Sequence, residues 1–283
     1  MKQIITSLKG ILYVVATPIG NQEDITYRAV NILKSVDLIA AEDTRHSKPF
    51  LESLGIKTKL LAYHAHNELN SAKGLIDYLE QGKNIALISD AGTPLIRDPG
   101  YPLVRQAREA GCRVVPIPGA SALTAALSAG GVPSDIFTFG GFLPATKAAR
   151  QRALTEFKAL SAHTLVFYES THRLLALLED MLHVFGEAVR LVLAKELTKT
   201  FEAFVEGSVD EIKAWLAADA ARIKGEFVVM VLPREVADDM TEAQQCLAIL
   251  LKELPVKQAV KLAAKLTGSS RNVLYALAID SQA

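Results

Sequence analysis

The sequence predicts a protein of the α/β class, made of two α/β domains and a small helical domain at the C-terminal end. Its 283 residues are about twice the length of a typical domain. Short apolar segments alternate with helical patterns through most of the chain, whereas only helical patterns follow Pro233. We therefore expect α/β domains at residues 1–120 and 121–236, and a helix-turn-helix-like domain at 237–283.

Composition narrows the class of protein further. Half of the residues are hydrophobic, so the chain can bury sizeable cores. The 31 Lys and Arg residues balance the 31 Asp and Glu residues, so the formal net charge is zero. Any site for a polyanion therefore has to be local. Cys112 and Cys246 lack the spacing of a zinc or redox motif, and apolar runs such as 227–232 are too short to span a membrane. These features favour a cytoplasmic protein that has no membrane partner.

Four short apolar segments predict the strands of the first domain. They lie at residues 11–16, 38–41, 85–89 and 113–117, and each is followed by a turn of polar or small residues. Apolar residues at helical spacing predict helices from about Asp24 onwards and at 72–80 and 101–110. This alternation indicates a mostly parallel sheet covered on both faces, whose ligands bind at the carboxyl ends of the strands.

The second domain follows a helix of small residues at 121–129 and a hinge at 130–135 that contains Gly and Pro. Segments with strand character lie at 137–141, 164–168, 190–194, 199–206 and 227–232, and helices are predicted at 173–184 and 209–221. The pattern differs from that of the first domain, and we expect more antiparallel pairing in this sheet.

The tail is predicted to be helical from about Thr241 to Ile279. An amphipathic helix that ends at Gly268 is followed by a second helix, which the serines just after Gly268 cap. Between Lys252 and Tyr275 the sequence has five basic residues and one acidic residue, a net charge of +4. From the pattern alone, this tail either contacts nucleic acid or caps the protein.

The turns after the strands carry the candidate chemistry. TPIGN at 17–21 stands where a dinucleotide fingerprint would stand, but the chain contains neither GxGxxG nor the GxxxxGK[ST] of a P-loop. SDAGTP at 89–94 is either a structural turn or a carboxylate and amides that hold an amino-acid-like group or a ribose. Ser121 in PGASA at 118–122 lacks the second glycine of a nucleophile elbow, which argues against a serine hydrolase.

Two further polar clusters have two interpretations each. EDTR at 42–45 is either a solvated loop or a catalytic or substrate-holding group. His64 and His66 have a spacing that a metal could use, but no further ligands stand at suitable positions, so a metal site is not favoured.

Together these motifs resemble the tetrapyrrole-methylase-type family, and within it the enzymes that methylate small-subunit ribosomal RNA. The motifs are LYVVATPIGN at 12–21, EDTR at 42–45, SDAGTP at 89–94, PGASA at 118–122, GFLP at 141–144, FYES at 167–170 and ELTK at 196–199. The resemblance implies a homodimer that holds S-adenosylmethionine in a cleft between its two α/β domains. The implied reaction is methylation of the ribose 2'-hydroxyl of a cytidine, in free ribosomal RNA or in the assembled small subunit.

The resemblance also assigns roles to residues. The cofactor-contacting positions would be Pro18, Ile19, Asp90, Ala91, Gly92, Thr93, Ser121, Ala122, Tyr168, Leu197, Glu226, Phe227 and Val228. The candidate catalytic residues are Glu42, Asp43, Arg45, His66, Glu169 and Lys199, all of them except Arg45 as possible bases. Arg45 is also a possible phosphate contact, as are Lys147, Arg150, Arg152 and Arg173.

Two alternatives of other kinds stay open. A tetrapyrrole C-methyltransferase would share the fold and the cofactor but would have no use for a basic tail. A non-enzymatic RNA-binding factor in ribosome assembly would use the tail and would not bind S-adenosylmethionine.

Overall fold

The computed structural model describes residues 9–64, 68–233 and 240–280, and it divides the chain into two compact units, Met1–Leu232 and Pro233–Ala283. The first unit contains two five-stranded sheets, and the second unit is helical. The predicted α/β class with a helical C-terminal region is therefore confirmed. The further division of the first unit at residue 120 stays a prediction.

The first sheet is wholly parallel. Its strands are β1 (Ile11–Val15), β2 (Leu38–Ala41), β3 (Leu60–Ala62), β4 (Ile85–Ile88) and β5 (Arg113–Ile117). They lie in the order β3-β2-β4-β1-β5, so the central strands β2 and β4 are buried along their whole length. Burial on both faces is the reason that these strands have continuous apolar sequences instead of alternating ones.

Helices cover both faces of this sheet. They are α1 (Tyr27–Ser35), α2 (Thr44–Ser53), α3 (Glu68–Glu80) and α4 (Tyr101–Glu109). α1 and α2 bury Leu33 and Leu51 against one face, whereas α3 and α4 bury Leu75 and Leu103 against the other. The strand β3 and the helix α2 were not expected from the sequence, because β3 has three residues and α2 contains Pro49 and few apolar side chains.

The second sheet is mixed, as the sequence predicted. It follows α5 (Ala122–Ala129) and consists of β6 (Phe137–Phe142), β7 (Thr164–Ser170), β8 (Arg190–Lys195), β9 (Ala203–Ser208) and β10 (Glu226–Val231). The order is β6-β7-β10-β8-β9, in which only β6 and β7 run parallel. The strand predicted at 199–206 begins at Ala203, because Glu196 and Thr198 adopt positive φ and turn the chain before it.

One face of the second sheet packs on α6 (Lys147–Lys158), α7 (Leu174–Phe185) and α8 (Val209–Ala217). The other face packs on α5. The sequence did not predict α6, because an arginine occupies one of its inward positions. Arg150 is 4% exposed, and its Nε donates to Asp180 Oδ2 over 2.6 Å. The prediction that Arg150 contacts phosphate is therefore wrong, because this guanidinium joins α6 to α7 in the interior.

The second unit consists of α9 (Met240–Glu253), α10 (Val256–Thr267) and α11 (Arg271–Asp280). Its small core contains Leu247, Val260 and Leu274, one from each helix. α10 ends at Gly268, whose φ of +74° is the left-handed conformation that glycine adopts at helix ends. The five basic residues between Lys252 and Tyr275 are all exposed. Within the described residues, no helix has the length and apolar character that crossing a membrane requires.

Candidate functional site

Two adjacent cavities lie where the turns that follow β1 and β4 meet the second sheet. The first cavity has a volume of about 240 Å³ and the second about 380 Å³. The first is lined by Ile19, Ala91, Gly92, Thr93, Ile96, Arg97, Asp98, Ser121, Ala122, Phe142, Tyr168, Glu169, Ser170, Leu197, Glu226, Phe227 and Val228. The second is lined by Thr17, Pro18, Ile19, Gly20, Gln22, His46, Ser47, Phe50, Ile88, Ser89, Asp90, Ala91, Lys199 and Glu226. Ile19, Ala91 and Glu226 belong to both, so the cavities are neighbours.

The motifs TPIGN and SDAGTP form one structure between them. Thr17 N donates to Gly92 O over 2.9 Å, and Gly92 N donates back to Thr17 O over 3.0 Å. Gly92 has a φ of +81°, and a Cβ there would lie 3.2 Å from Ile19 Cγ2. Because both the backbone angle and the space favour glycine, the two turns can approach closely enough to form a common wall of the cavities.

A second wall is formed by the beginning of α5. Ser121 and Ala122 line the first cavity, and Thr93 Oγ1 donates to Ala120 O over 3.1 Å. The hydroxyl of Tyr168 accepts from Leu123 N over 2.9 Å, which occupies one of the backbone donors at the helix N-terminus. Burial raises the pKa of Tyr168, so this side chain stays a neutral phenol at physiological pH.

The ELTK segment forms a third wall, and it contacts the TPIGN turn. Leu197 lies in the first cavity between two residues of positive φ, Glu196 at +48° and Thr198 at +65°. A Cβ at Gly20 would lie 2.4 Å from Lys199 Cγ, so the TPIGN turn also needs its glycine to contact this segment. Strained backbone of this kind is concentrated at functional sites.

Lys199 is held as a cation by two carboxylates. Its Nζ donates to Glu226 Oε2 over 2.7 Å and to Glu196 Oε1 over 3.0 Å. Partial burial alone would lower the pKa of the Lys199 ammonium, but the bonds to Glu226 and Glu196 raise it above its usual range. An ammonium with a raised pKa suits the stabilisation of negative charge better than the removal of a proton.

The carboxylates of EDTR and SDAGTP meet at the ends of β2 and β4. Asp43 N donates to Asp90 Oδ1 over 3.0 Å, and Asp90 N donates to Glu42 Oε2 over 3.3 Å. Asp43 caps α2 by accepting from Arg45 N, and it also pairs with the Arg45 guanidinium over 2.8 Å. The hydrogen bond from the Arg45 side chain is the main reason that the pKa of Asp43 lies well below its ordinary value.

Glu169 is a buried carboxylate in the wall of the first cavity. It is 2% exposed, and its Oε1 accepts from Ser170 N over 2.9 Å. The Nε of Arg173 lies 3.4 Å from Oε1, whereas Oε2 has no hydrogen-bond partner among the residues that the structure describes. A buried carboxylate oxygen in this state has the capacity to accept a hydrogen bond from a ligand.

Asp98 is a site residue that the sequence did not reveal. It is half-buried and lines the first cavity, where burial raises its pKa to about 7, with further contributions from the charges of Glu42 and Asp90. Its hydrogen bond with Ser89 acts in the opposite direction. In the sequence, Asp98 stands before Pro99 and Gly100, a pattern typical of an ordinary turn.

The structure brings most of the predicted positions together. All of the predicted cofactor positions except Pro18 and Asp90 line the first cavity, and these two line the second. Of the candidate catalytic residues, Glu169 lines the first cavity and Lys199 the second, whereas the Arg45 side chain is 90% exposed. His66 lies outside the described residues.

The second cavity contains further residues that the sequence did not reveal. His46, Ser47 and Phe50 reach it from α2. Ser47 is 4% exposed, and its Oγ has no hydrogen-bond partner within the described part of the chain. No group of three His, Cys, Asp or Glu side chains suited to a metal ion occurs in that part either.

Two family models match the chain. The model described as Tetrapyrrole (Corrin/Porphyrin) Methylases covers residues 11–213, and the one described as RsmI C-terminal HTH domain covers residues 237–282. A protein of Escherichia coli O157:H7 named Ribosomal RNA small subunit methyltransferase I is 51% identical, over 97% of this chain and 96% of its own. The protein of the same name from Pseudomonas aeruginosa is 50% identical, over 96% of this chain and 98% of its own.

Solved structures with the same fold are more distant in sequence. Diphthine synthase has a TM-score of 0.63 at 14% identity, over 80% of this chain and 90% of its own. Uroporphyrin-III C-methyl transferase from Thermus thermophilus, complexed with S-adenyl homocysteine, has a TM-score of 0.54 at 16% identity, over 78% of this chain and 97% of its own. At these identities the similarity concerns the fold.

Proposed function

The chain belongs to the tetrapyrrole methylase family, and we propose that it transfers a methyl group from S-adenosylmethionine to the ribose 2'-hydroxyl of a cytidine in small-subunit ribosomal RNA. The family predicted from the sequence motifs is thereby confirmed. The proposal is supported most by sequence identity of about 50%, over nearly the full length of both chains, to proteins named Ribosomal RNA small subunit methyltransferase I. Curated relatives of that name favour a methyltransferase over a non-enzymatic assembly factor.

The first cavity has the features that the cofactor requires. S-adenosylmethionine combines an adenine ring, a charged amino-acid group and a sulfonium, and it supplies an electrophilic methyl group. Ile19, Leu197 and Val228 give the cavity apolar surface suited to the adenine ring. The N-terminus of α5, at Ser121 and Ala122, presents backbone donors and the positive end of a helix dipole, which suit a carboxylate.

The second cavity is the place that we assign to the acceptor nucleoside. It adjoins the first along Ile19, Ala91 and Glu226, so a nucleoside there lies next to the methyl donor. Phe50 offers an aromatic surface for stacking, and the buried Ser47 hydroxyl offers a hydrogen bond to a base edge. A polar group left without a partner costs about 1–3 kcal/mol, which a ligand at this position would offset.

The remaining site residues then have distinct roles. Most of the rate acceleration comes from in-line positioning of the ribose oxygen against the methyl group. Lys199 contributes positive charge beside Glu226, at the boundary of the two cavities. Asp43 and Arg45 hold the start of α2, which carries Ser47 and Phe50 into the second cavity.

The basic tail is the proposed contact with ribosomal RNA. Its segment from Lys252 to Tyr275 has five exposed basic residues and one acidic residue, a local net charge of +4 in a chain that has none overall. Phosphate contacts of this kind supply affinity and orientation without sequence specificity. The homodimer and the cytoplasmic location implied by the family remain parts of this proposal. Sedimentation of the purified protein would test whether it is a dimer.

A methylation assay with three acceptors tests the function. The full-length protein is incubated with radiolabelled S-adenosylmethionine and either small ribosomal subunits, free small-subunit RNA or a porphyrinoid. We expect label in the RNA of one or both ribosomal samples, and mass spectrometry of nuclease fragments should locate it on a cytidine ribose. Label in the porphyrinoid alone would support the C-methyltransferase instead. Absence of S-adenosylmethionine binding in calorimetry would contradict both enzymatic proposals.

A further inference from the structure

Methyl transfer to a ribose hydroxyl releases a proton, and a side chain near the acceptor has to receive it. Among the candidates from the sequence, Asp43 is engaged by Arg45, and Lys199 is held as a cation. Building on the proposed function, we infer that Asp98, in the wall of the first cavity, is the general base that takes the proton from the ribose 2'-hydroxyl.

The position of Asp98 is the first argument. Asp98 lines the first cavity, and two of the residues that influence its carboxyl group, Ser89 and Asp90, line the second cavity. Asp98 therefore belongs to the space assigned to the methyl donor and lies close to residues of the space assigned to the acceptor. A base in this reaction has to reach the hydroxyl while the methyl group lies on the other side of the same oxygen.

The backbone around Asp98 is the second argument. Leu95 and Arg97 have φ values of +72° and +73°, a left-handed conformation that is unfavourable for both residue types. The Arg97 guanidinium anchors the segment to the second sheet, because its Nη2 donates to Phe142 O over 3.2 Å. A strained segment that is anchored in this way holds Asp98 at a defined place in the cavity.

The charges around Asp98 are the third argument. Glu42 and Asp90 act on it from the ends of β2 and β4, and Tyr168 faces it from β7. Arg97, Glu169 and Glu226 line the same cavity. Burial, followed by the charges of Glu42 and Asp90, raises the pKa of Asp98 to about 7, which is the range in which a general base works best near neutral pH.

The proposed step balances in atoms and charge. The ribose oxygen attacks the methyl carbon in line with the bond from carbon to sulfur, and that bond breaks with its electron pair on sulfur. The O–H bond of the 2'-hydroxyl breaks as the new O–C bond forms, and the proton moves to an Oδ atom of Asp98. The products are the 2'-O-methyl ribose, S-adenosylhomocysteine and a protonated Asp98, which then loses its proton to solvent.

The test compares the full-length wild type with Asp98→Asn and Asp98→Glu in single-turnover methylation of small-subunit ribosomal RNA. We expect Asp98→Asn to lower the rate by about 100-fold or more, the usual contribution of general base catalysis. The loss of rate should exceed any loss of calorimetric affinity for S-adenosylmethionine by at least about 10-fold, because the residue lines the cofactor cavity but acts on the acceptor. Asp98→Glu should recover part of the rate, and Asp135→Asn, in an exposed loop, serves as the matched control.

The pH profile supplies a second readout. The wild-type rate should rise with pH and level off above an apparent pKa near 7, and Asp98→Asn should lose this rise. If Asp98→Asn fails to fold, a shifted profile in Asp98→Glu tests the same assignment. Two results would overturn this inference and leave the proposed function intact. One is a wild-type rate in Asp98→Asn, and the other is a loss of rate that is no larger than the loss of affinity for S-adenosylmethionine. A wild type that binds S-adenosylmethionine but leaves the RNA unmethylated would overturn the proposed function and this inference with it.

Discussion

The replacement Asp98→Asn should stabilise the folded protein at alkaline pH, and the size of the effect follows from the environment of Asp98. Its pKa is raised from 3.8 to about 7, chiefly by burial. Between these values the folded protein binds a proton that the unfolded chain has lost, so its free energy of unfolding falls as the pH rises. The slope for one proton is about 1.4 kcal/mol per pH unit.

The wild type should therefore lose stability relative to the variant between pH 5 and pH 7. Two pH units at this slope give about 3 kcal/mol, and partial exposure of Asp98 to water reduces the expectation to about 2 kcal/mol. Asparagine does not titrate, so Asp98→Asn avoids the loss. For a unit of this size the difference corresponds to about 4–8 °C in melting temperature.

Urea denaturation at pH 5 and at pH 8 measures the effect. The single tryptophan, Trp215, packs against the core of the second sheet, so its fluorescence reports on unfolding of the Met1–Leu232 unit. For the exposed control Asp135→Asn, the difference from the wild type in free energy of unfolding should be the same at both pH values. If the difference in free energy of unfolding between Asp98→Asn and the wild type is the same at pH 5 and pH 8, the raised pKa of Asp98 is refuted.

Four further predictions follow from the same geometry. Asp90→Ala should weaken S-adenosylmethionine binding by about 10- to 100-fold in calorimetry, because it removes the acceptor that ties the ends of β2 and β4 together. Ser47→Ala should lower kcat/KM for the RNA by about 5-fold and leave cofactor affinity unchanged; an unchanged kcat/KM would exclude a contact with the acceptor. Asp180→Ala should cost about 3–5 kcal/mol of stability, because it leaves the buried guanidinium of α6 unpaired, and a loss below 1 kcal/mol in urea titrations would contradict this. Removal of residues 238–283 should leave a folded protein that binds S-adenosylmethionine, with RNA affinity that is lower and less dependent on salt; an unchanged salt slope would identify the tail as a structural cap.

The class of the fold and the meeting of the turns that line the first cavity could be predicted from the sequence alone. Short apolar strands such as Leu38–Ala41 and Ile85–Ile88 are recognisable because burial on both faces requires apolar side chains throughout. The turns after them contain the Gly, Pro and Asp residues that tight backbone paths require. Since the carboxyl ends of parallel strands share one edge of a sheet, the turns are expected to meet before any contact is known.

Other features depended on contacts between residues far apart in the chain. Asp98 lines the first cavity, where burial and the charges of Glu42 and Asp90 raise its pKa, although its own sequence has only a turn pattern. Arg150 has the sequence of a surface residue but is buried, because Asp180 of another helix neutralises its charge.

The left-handed angles at Leu95, Arg97, Glu196 and Thr198 have no signal in the sequence either, since residues of these types rarely adopt them. Local patterns encode backbone paths and apolar faces, because those depend on neighbouring residues. Burial of a charge, a shifted pKa and a strained angle are decided by tertiary packing, because each requires partners that only the folded chain brings within contact distance.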